Sequence, residues 1–199
     1  PFIKYNSASG LNGDYVFSVL NDWRENLWLG TEGMGVMRIN DTSKVLFDEE
    51  AGFYSEKVKS IFEDSKGYVW FGTEGKGVGV YNPYDGKDTI YSFYNTNGLK
   101  GNWVKCFTED PSTGQVYLGT SDGGIYYVSR GQGPNPVHSF KLITIENLQV
   151  PNHITALHYK NDQLWFANDN GKFGFVEDKN LTVFYEAGKS FRNIVSHNK

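Results

Sequence analysis

The residues best able to hold a metal or attack a substrate are four histidines, His138, His153, His158 and His197, and the single cysteine, Cys106. Their spacing matches no metal-site pattern, and one cysteine is too few for a structural zinc centre. No metal and no cofactor are therefore expected, and Cys106 reads as a small packing residue, not a nucleophile. The sequence holds no serine-centred nucleophile elbow, and its carboxylates lie mostly in turns, with no pair marked out as acid and base. Residues 75–79 are glycine-rich, but no helix follows that could present its N-terminus to a phosphate. They read as a link between strands, so no catalytic residue is expected. What the loops do offer is binding chemistry. Tyr15 and Trp103 stand beside Asp14, Glu32, Lys57, Lys76, Asn102, Asp122, Asn152 and His153. Aromatic rings stack on the apolar faces of sugars while amides and carboxylates bind hydroxyls, so these ten residues form a candidate site for an oligosaccharide or another polyhydroxylated ligand. The competing reading is that they are ordinary solvated loops.

A repeat positions them. Trp28–Thr31, Trp70–Thr73, Tyr117–Thr120 and Trp165–Asn168 occupy one phase, at periods of 42, 47 and 48 residues. Periods of this length with several short strands per unit indicate propeller blades. Ahead of each aromatic lies a strand-like run, at 16–20, 58–62, 104–108 and 154–158, whose third residue is always small: Ser18, Ser60, Cys106 and Ala156. That is what crowding among the innermost strands of a propeller requires. A polar turn, the aromatic strand, a glycine-rich link and two further strands complete each copy, giving four strands per unit. In the second turn Asp64 is expected to cap its own backbone. The loops leading into the innermost strand and those joining second to third strands gather on one face of such a fold, where the ten candidate residues lie.

Composition agrees with this reading. Aromatics make up 16% of the 199 residues, glycine numbers 23, and no long helical apolar period appears, which favours an all-β protein rich in tight turns. The net charge of −4, with both signs interspersed, supplies no basic stripe that could follow phosphates, so a nucleic-acid partner is not expected. No apolar run approaches the length of a membrane span. Four full blades are expected at residues 11–47, 53–94, 99–143 and 148–185, with partial strands at 2–5 and 191–195. An outer strand at one end and an inner strand at the other point to an arc of a larger propeller, all within one domain of residues 1–199. Such an arc implies the remaining blades of a parent propeller as its partners, and apolar faces at both ends.

The pattern at residues 58–78, Val58, Ser60, Ile61, Asp64, Gly67, Trp70–Thr73 and Gly77–Val78, resembles the two-component regulator propeller repeat. Residues 16–36 and 104–125 match it well, whereas the fourth copy departs from it with Ala167 and Asn168. The resemblance implies a non-catalytic, ligand-sensing segment of a periplasmic ectodomain belonging to an inner-membrane hybrid histidine kinase. It also implies oligosaccharides as signals and a homodimeric parent receptor. Two alternatives stay open: a propeller serving as a protein-interaction platform, and an enzyme similar to the streptogramin lyases. The lyase would need paired histidines, a carboxylate and magnesium at the channel mouth, and only His153 stands in a suitable loop.

Overall fold

A computed structural model describes residues 15–131, 135–144, 153–178, 180–185, 191 and 194. The expected strands at 2–5 lie outside the described residues, as do Asp14 and Asn152 and most of 191–195. The described residues form sixteen strands and no helix, in four antiparallel sheets. The first sheet is β1 (Val16–Asn21), β2 (Leu27–Thr31), β3 (Val36–Ile39) and β4 (Lys44–Phe47); the second is β5 (Val58–Glu63), β6 (Val69–Thr73), β7 (Val78–Tyr81) and β8 (Ile90–Phe93). The third is β9 (Val104–Asp110), β10 (Gln115–Thr120), β11 (Gly124–Arg130) and β12 (Val137–Leu142), and the fourth β13 (Ile154–Lys160), β14 (Gln163–Asn168), β15 (Lys172–Glu177) and β16 (Asn180–Tyr185). Spatial order follows chain order in every sheet. The leading strands meet β1 to β5, β5 to β9 and β9 to β13, so the sheets pack in sequence as an arc of a propeller.

Because strand side chains alternate, each sheet presents side chains on two faces, and apolar faces of consecutive sheets are buried against each other at three seams. Trp28, Val36 and Phe47 of the first sheet pack with Val58, Phe71, Tyr81 and Ile90 of the second. Trp70, Val80 and Phe93 meet Val116, Leu118, Tyr126 and Phe140 across the next seam. Ile125 faces Ile154, Leu157, Leu164 and Phe166 across the third. The repeat aromatic thus reaches into the following blade: Trp28 lies 5.3 Å from Phe71, Trp70 6.3 Å from Phe107, and Tyr117 stacks on Tyr159 at 5.8 Å. Trp165 instead packs on Phe175 of its own sheet.

The small third residue now has a specific cause. Ser18, Ser60, Cys106 and Ala156 pair across the ladder with Gly30, Gly72, Gly119 and Ala167. A Cβ on Gly72 would come within 2.3 Å of Ser60 Oγ and 2.8 Å of the Val104 carbonyl in the next blade. A short side chain set against glycine, or against alanine in the fourth blade, lets consecutive leading strands approach. Burial pushes the Cys106 thiol up to about 12, which suits a packing role. Gly72→Ala is accordingly expected to cost roughly 1–3 kcal/mol by overpacking; an unchanged urea midpoint would show that the seam can relax. The fourth hairpin departs from the others in its turn as well. Asn161 and Asp162 both have positive φ, 52° and 61°, the backbone of a tight two-residue hairpin turn.

Candidate ligand-binding face

Tyr15, Lys57, Trp103 and His153 each immediately precede a leading strand, at equivalent positions of the four blades. Glu32 and Glu74 immediately follow β2 and β6. A repeated backbone bond joins the two places within a blade: Glu32 N–H donates to Tyr15 O at 3.0 Å, Glu74 N–H to Lys57 O at 3.0 Å, and Ser121 N–H to Trp103 O at 2.9 Å. Other bonds stitch the first blade to the second and the second to the third. Gly33 and Gly35 N–H donate to Glu56 O, and Gly75 and Gly77 N–H to Asn102 O. Isolated bridges pair Glu32 with Lys57 and Glu74 with Trp103. Gly77 takes a φ of +74°, and a Cβ there would strike the Phe93 carbonyl at 2.1 Å, so this link demands glycine.

On this backbone lies a belt of alternating charge. Lys57 Nζ is 3.5 Å from Glu32 Oε1 and Lys59 Nζ is 3.1 Å from Glu74 Oε2. The Lys59 ammonium also sits 3.3 Å from the centroid of Phe17, and that of Lys105 5.2 Å from Trp103. Burial works to raise the Glu74 carboxyl, but hydrogen bonding and charge from Lys59, with Lys105 and Lys57 behind it, hold it below the ordinary range. A cavity of about 420 Å³ opens beside the belt, lined by Tyr54, Lys57, Glu74 and Lys76 among others.

Of the ten sequence candidates, Tyr15, Glu32 and Lys57 come together in this belt, and Trp103 joins it through Glu74. Trp103 remains 42% exposed, an aromatic surface open to a ligand. Lys76 lines the cavity beside the belt, its ammonium 5.4 Å from the Tyr94 centroid. Asp122 spends both carboxylate oxygens on the loop itself, accepting from the N–H groups of Asn102 and Trp103 at 3.0 and 3.1 Å. Asn102 braces a neighbouring loop, its amide donating to Asn95 Oδ1 at 2.8 Å. His153 is exposed, with a φ of 62°. Sequence reasoning missed Phe17, Lys59, Glu74 and Lys105, although Phe17, Lys59 and Lys105 share one repeat position, the second residue of β1, β5 and β9. Their fixed place one residue before the small position of each leading strand is the signal that could have found them. Among the described residues no cluster of three or more histidine, cysteine, aspartate or glutamate side chains is placed to hold a metal ion.

Residues 55–75 match the two component regulator propeller family. The chain is similar in structure to the extracellular domains of two hybrid two component systems of B. thetaiotaomicron. For one the TM-score is 0.67 at 24% identity, covering 90% of this chain and 23% of that one. For the other it is 0.66 at 19% identity, covering 90% and 25%. The chain thus spans about a quarter of the length of these structures. Virginiamycin B lyase from Staphylococcus aureus, solved with quinupristin, is also similar, with a TM-score of 0.60 at 18% identity over 89% of this chain and 58% of the enzyme. No curated protein sequence matches the chain.

Proposed function

From the premise that this chain carries the two-component regulator propeller repeat, we propose that it is a non-catalytic sensing segment of an extracytoplasmic, periplasmic ectodomain, and that its ligand is an oligosaccharide or similar polyhydroxylated molecule. The observation that carries the reading is the belt joining Glu32, Lys57, Glu74 and Trp103 across consecutive blades. Its charges are matched with one another, and the surfaces left for a ligand are aromatic. Such a surface suits recognition of a neutral, hydroxyl-rich molecule, with rings for its apolar faces and paired ions at the edge for its hydroxyls.

The same belt supplies a way to transmit binding. The leading loops of the second and third blades are each bonded to the previous blade, so a ligand bridging two loops favours one relative setting of the blades. In a homodimeric parent receptor that bias would shift the population between signalling states, by as much as the ligand's differential affinity for them. The likeness to virginiamycin B lyase supports a second, catalytic reading, in which His153 would contribute to a metal site at the channel mouth. The two separate on a simple measurement: a lyase consumes its ligand and a sensor returns it unchanged.

Trp103→Ala tests the site. Binding to an oligosaccharide panel, followed by calorimetry, is expected to weaken roughly tenfold or more, about 1.4 kcal/mol. The thermal midpoint should move little, since the ring is half exposed. A large loss of stability with unchanged affinity would place Trp103 in the scaffold instead.

A further inference from the structure

Each leading strand carries the same irregularity. In β1, β5, β9 and β13 the ladder to the following strand skips one residue, so Phe17, Lys59, Lys105 and Thr155 have no partner across their hairpins. A bulge of this kind re-aims the side chain it frees, and such bulges recur beside functional sites. Three of the four freed side chains are accounted for within the protein. The Lys59 ammonium lies 3.1 Å from Glu74 Oε2 and 3.3 Å from the centroid of Phe17, and the Thr155 hydroxyl donates to the Phe191 carbonyl. Lys105 has only a ring beside it, that of Trp103 with its centroid 5.2 Å away.

Comparison of the second and third blades shows what Lys105 lacks. Glu74 and Ser121 each follow the second strand of their blade, and the same backbone bond fixes both, from Glu74 N–H to Lys57 O and from Ser121 N–H to Trp103 O. The third blade thus repeats the lysine of the second but puts a neutral serine where the second has its carboxylate. Among the described residues no carboxylate forms an ion pair with Lys105. The nearby acids are committed elsewhere, Glu74 to Lys59 and Asp122 to the N–H groups of Asn102 and Trp103. Lys105 is half-buried, and its ammonium is not among the unpartnered polar atoms sealed from solvent. A ligand can therefore reach it from the side on which Trp103 is exposed.

We propose that the ligand supplies the missing carboxylate: the third blade takes a sugar acid, a uronic acid unit whose carboxylate pairs with Lys105 Nζ while its ring lies against the Trp103 indole. A uronic acid keeps the apolar C–H face and hydroxyl rim of a hexopyranose and replaces one exocyclic hydroxymethyl by a carboxylate. That one change is what an unpaired ammonium distinguishes, because a charge-assisted hydrogen bond is roughly twice as strong as a neutral one. The ligand carboxylate then does for Lys105 what Glu74 does for Lys59. The matched pairs Lys59–Glu74 and Lys57–Glu32 continue the surface into the second and first blades, where they suit neutral, hydroxyl-rich units. The chain thus reads a sugar that is neutral along the belt and anionic at its end on the third blade.

This assignment rests on the carbohydrate-sensing reading above, and paired probes separate the two. Cellobiose with cellobiouronic acid, and galactobiose with digalacturonic acid, would each be titrated into the 15N-labelled chain, with affinities read from amide shifts by NMR. The members of each pair differ only in carboxylates at C6. At least one acid is expected to bind roughly tenfold more tightly than its neutral counterpart and to shift the amides of Trp103, Lys105 and Ser121. In Lys105→Met, which keeps an aliphatic stem beside Trp103, that preference is lost. Ser121→Glu restores within the chain the carboxylate found in the second blade, so it too removes the preference, by occupying Lys105. Acids that bind no more tightly than their neutral counterparts, or a preference that survives in either variant, would overturn the assignment and leave the sensing proposal standing. Absence of binding by all of these sugars would overturn both the assignment and the carbohydrate part of that proposal.

Discussion

Replacing Trp70 by alanine is expected to remove about 3–5 kcal/mol of stability, the cost of a large ring deleted from a sealed core. The indole is fully buried and forms the centre of the seam between the second and third sheets, among Val80, Val104, Val116 and Leu118. Its Nε1–H donates to Asp64 Oδ2 at 2.7 Å, so the substitution also removes one of the hydrogen bonds to a buried carboxylate. For a chain of this size the loss corresponds to a fall in thermal midpoint of roughly 6–20 °C. Trp165→Ala is the natural control. It occupies the same repeat position but is only half buried and packs within its own sheet, so its cost should be distinctly smaller. Equal losses at the two positions, read by thermal and urea denaturation, would mean that the seam contributes nothing beyond what one sheet provides.

That contrast marks what the sequence makes legible. The blades could be read because their signals are local and repeated. The alternation of each leading strand, the small third residue and the aromatic at a fixed spacing all lie within about twenty residues of one another, and each copy checks the others. Even the pairing of Ser60 with Gly72 is implied by a hairpin of known turn length. Contacts across seams obey no such short rule. Arg38 binds Asp88 over 50 residues, with both terminal guanidinium nitrogens engaged, and Arg130 binds Asp64 over 66. In the sequence these are isolated charges in strands and turns. The candidate site divides in the same way. Glu32, Lys57 and Trp103 are legible as candidates because they sit at repeated positions on one face of the blades. Tyr54 and Tyr94, which line cavities in the structure, carry no such signal, because each stands in or beside a connection that differs from blade to blade. Asp122 was legible as a loop acid, but only the structure tells that both its oxygens are committed to backbone N–H groups. Asp14 and Asn152 lie outside the described residues.

Asp64→Ala is the second substitution with a large expected effect, because this one carboxylate closes both a turn and a seam. Its Oδ1 accepts from the N–H groups of Lys66 and Tyr68 at 3.0 and 3.1 Å, which fixes the β5–β6 turn. Its Oδ2 accepts from Trp70 Nε1 at 2.7 Å and from Arg130 Nη2 of the third blade at 2.8 Å. The carboxylate is fully buried, and Arg130 lies over the rings of Tyr68 and Trp70, its Nε and Nη1 without protein partners. Removing the acid would strand that cation, and the loss of one partner from a buried pair costs about 3–5 kcal/mol. Asp22 is the control. It plays the same role in the first blade, accepting from Arg24, Asn26 and Trp28, but only from neutral N–H donors. Asp22→Ala should therefore cost less, in the range of a lost network of neutral hydrogen bonds. The pairwise part is isolated by a double-mutant cycle of Asp64→Ala with Arg130→Met, where methionine fills the space of the aliphatic stem. A coupling of roughly 0.5–3 kcal/mol is expected. If the cycle shows no coupling and the two aspartates cost the same, Arg130 is held by its aromatic neighbours alone, and the second and third blades are joined by packing without an ion pair.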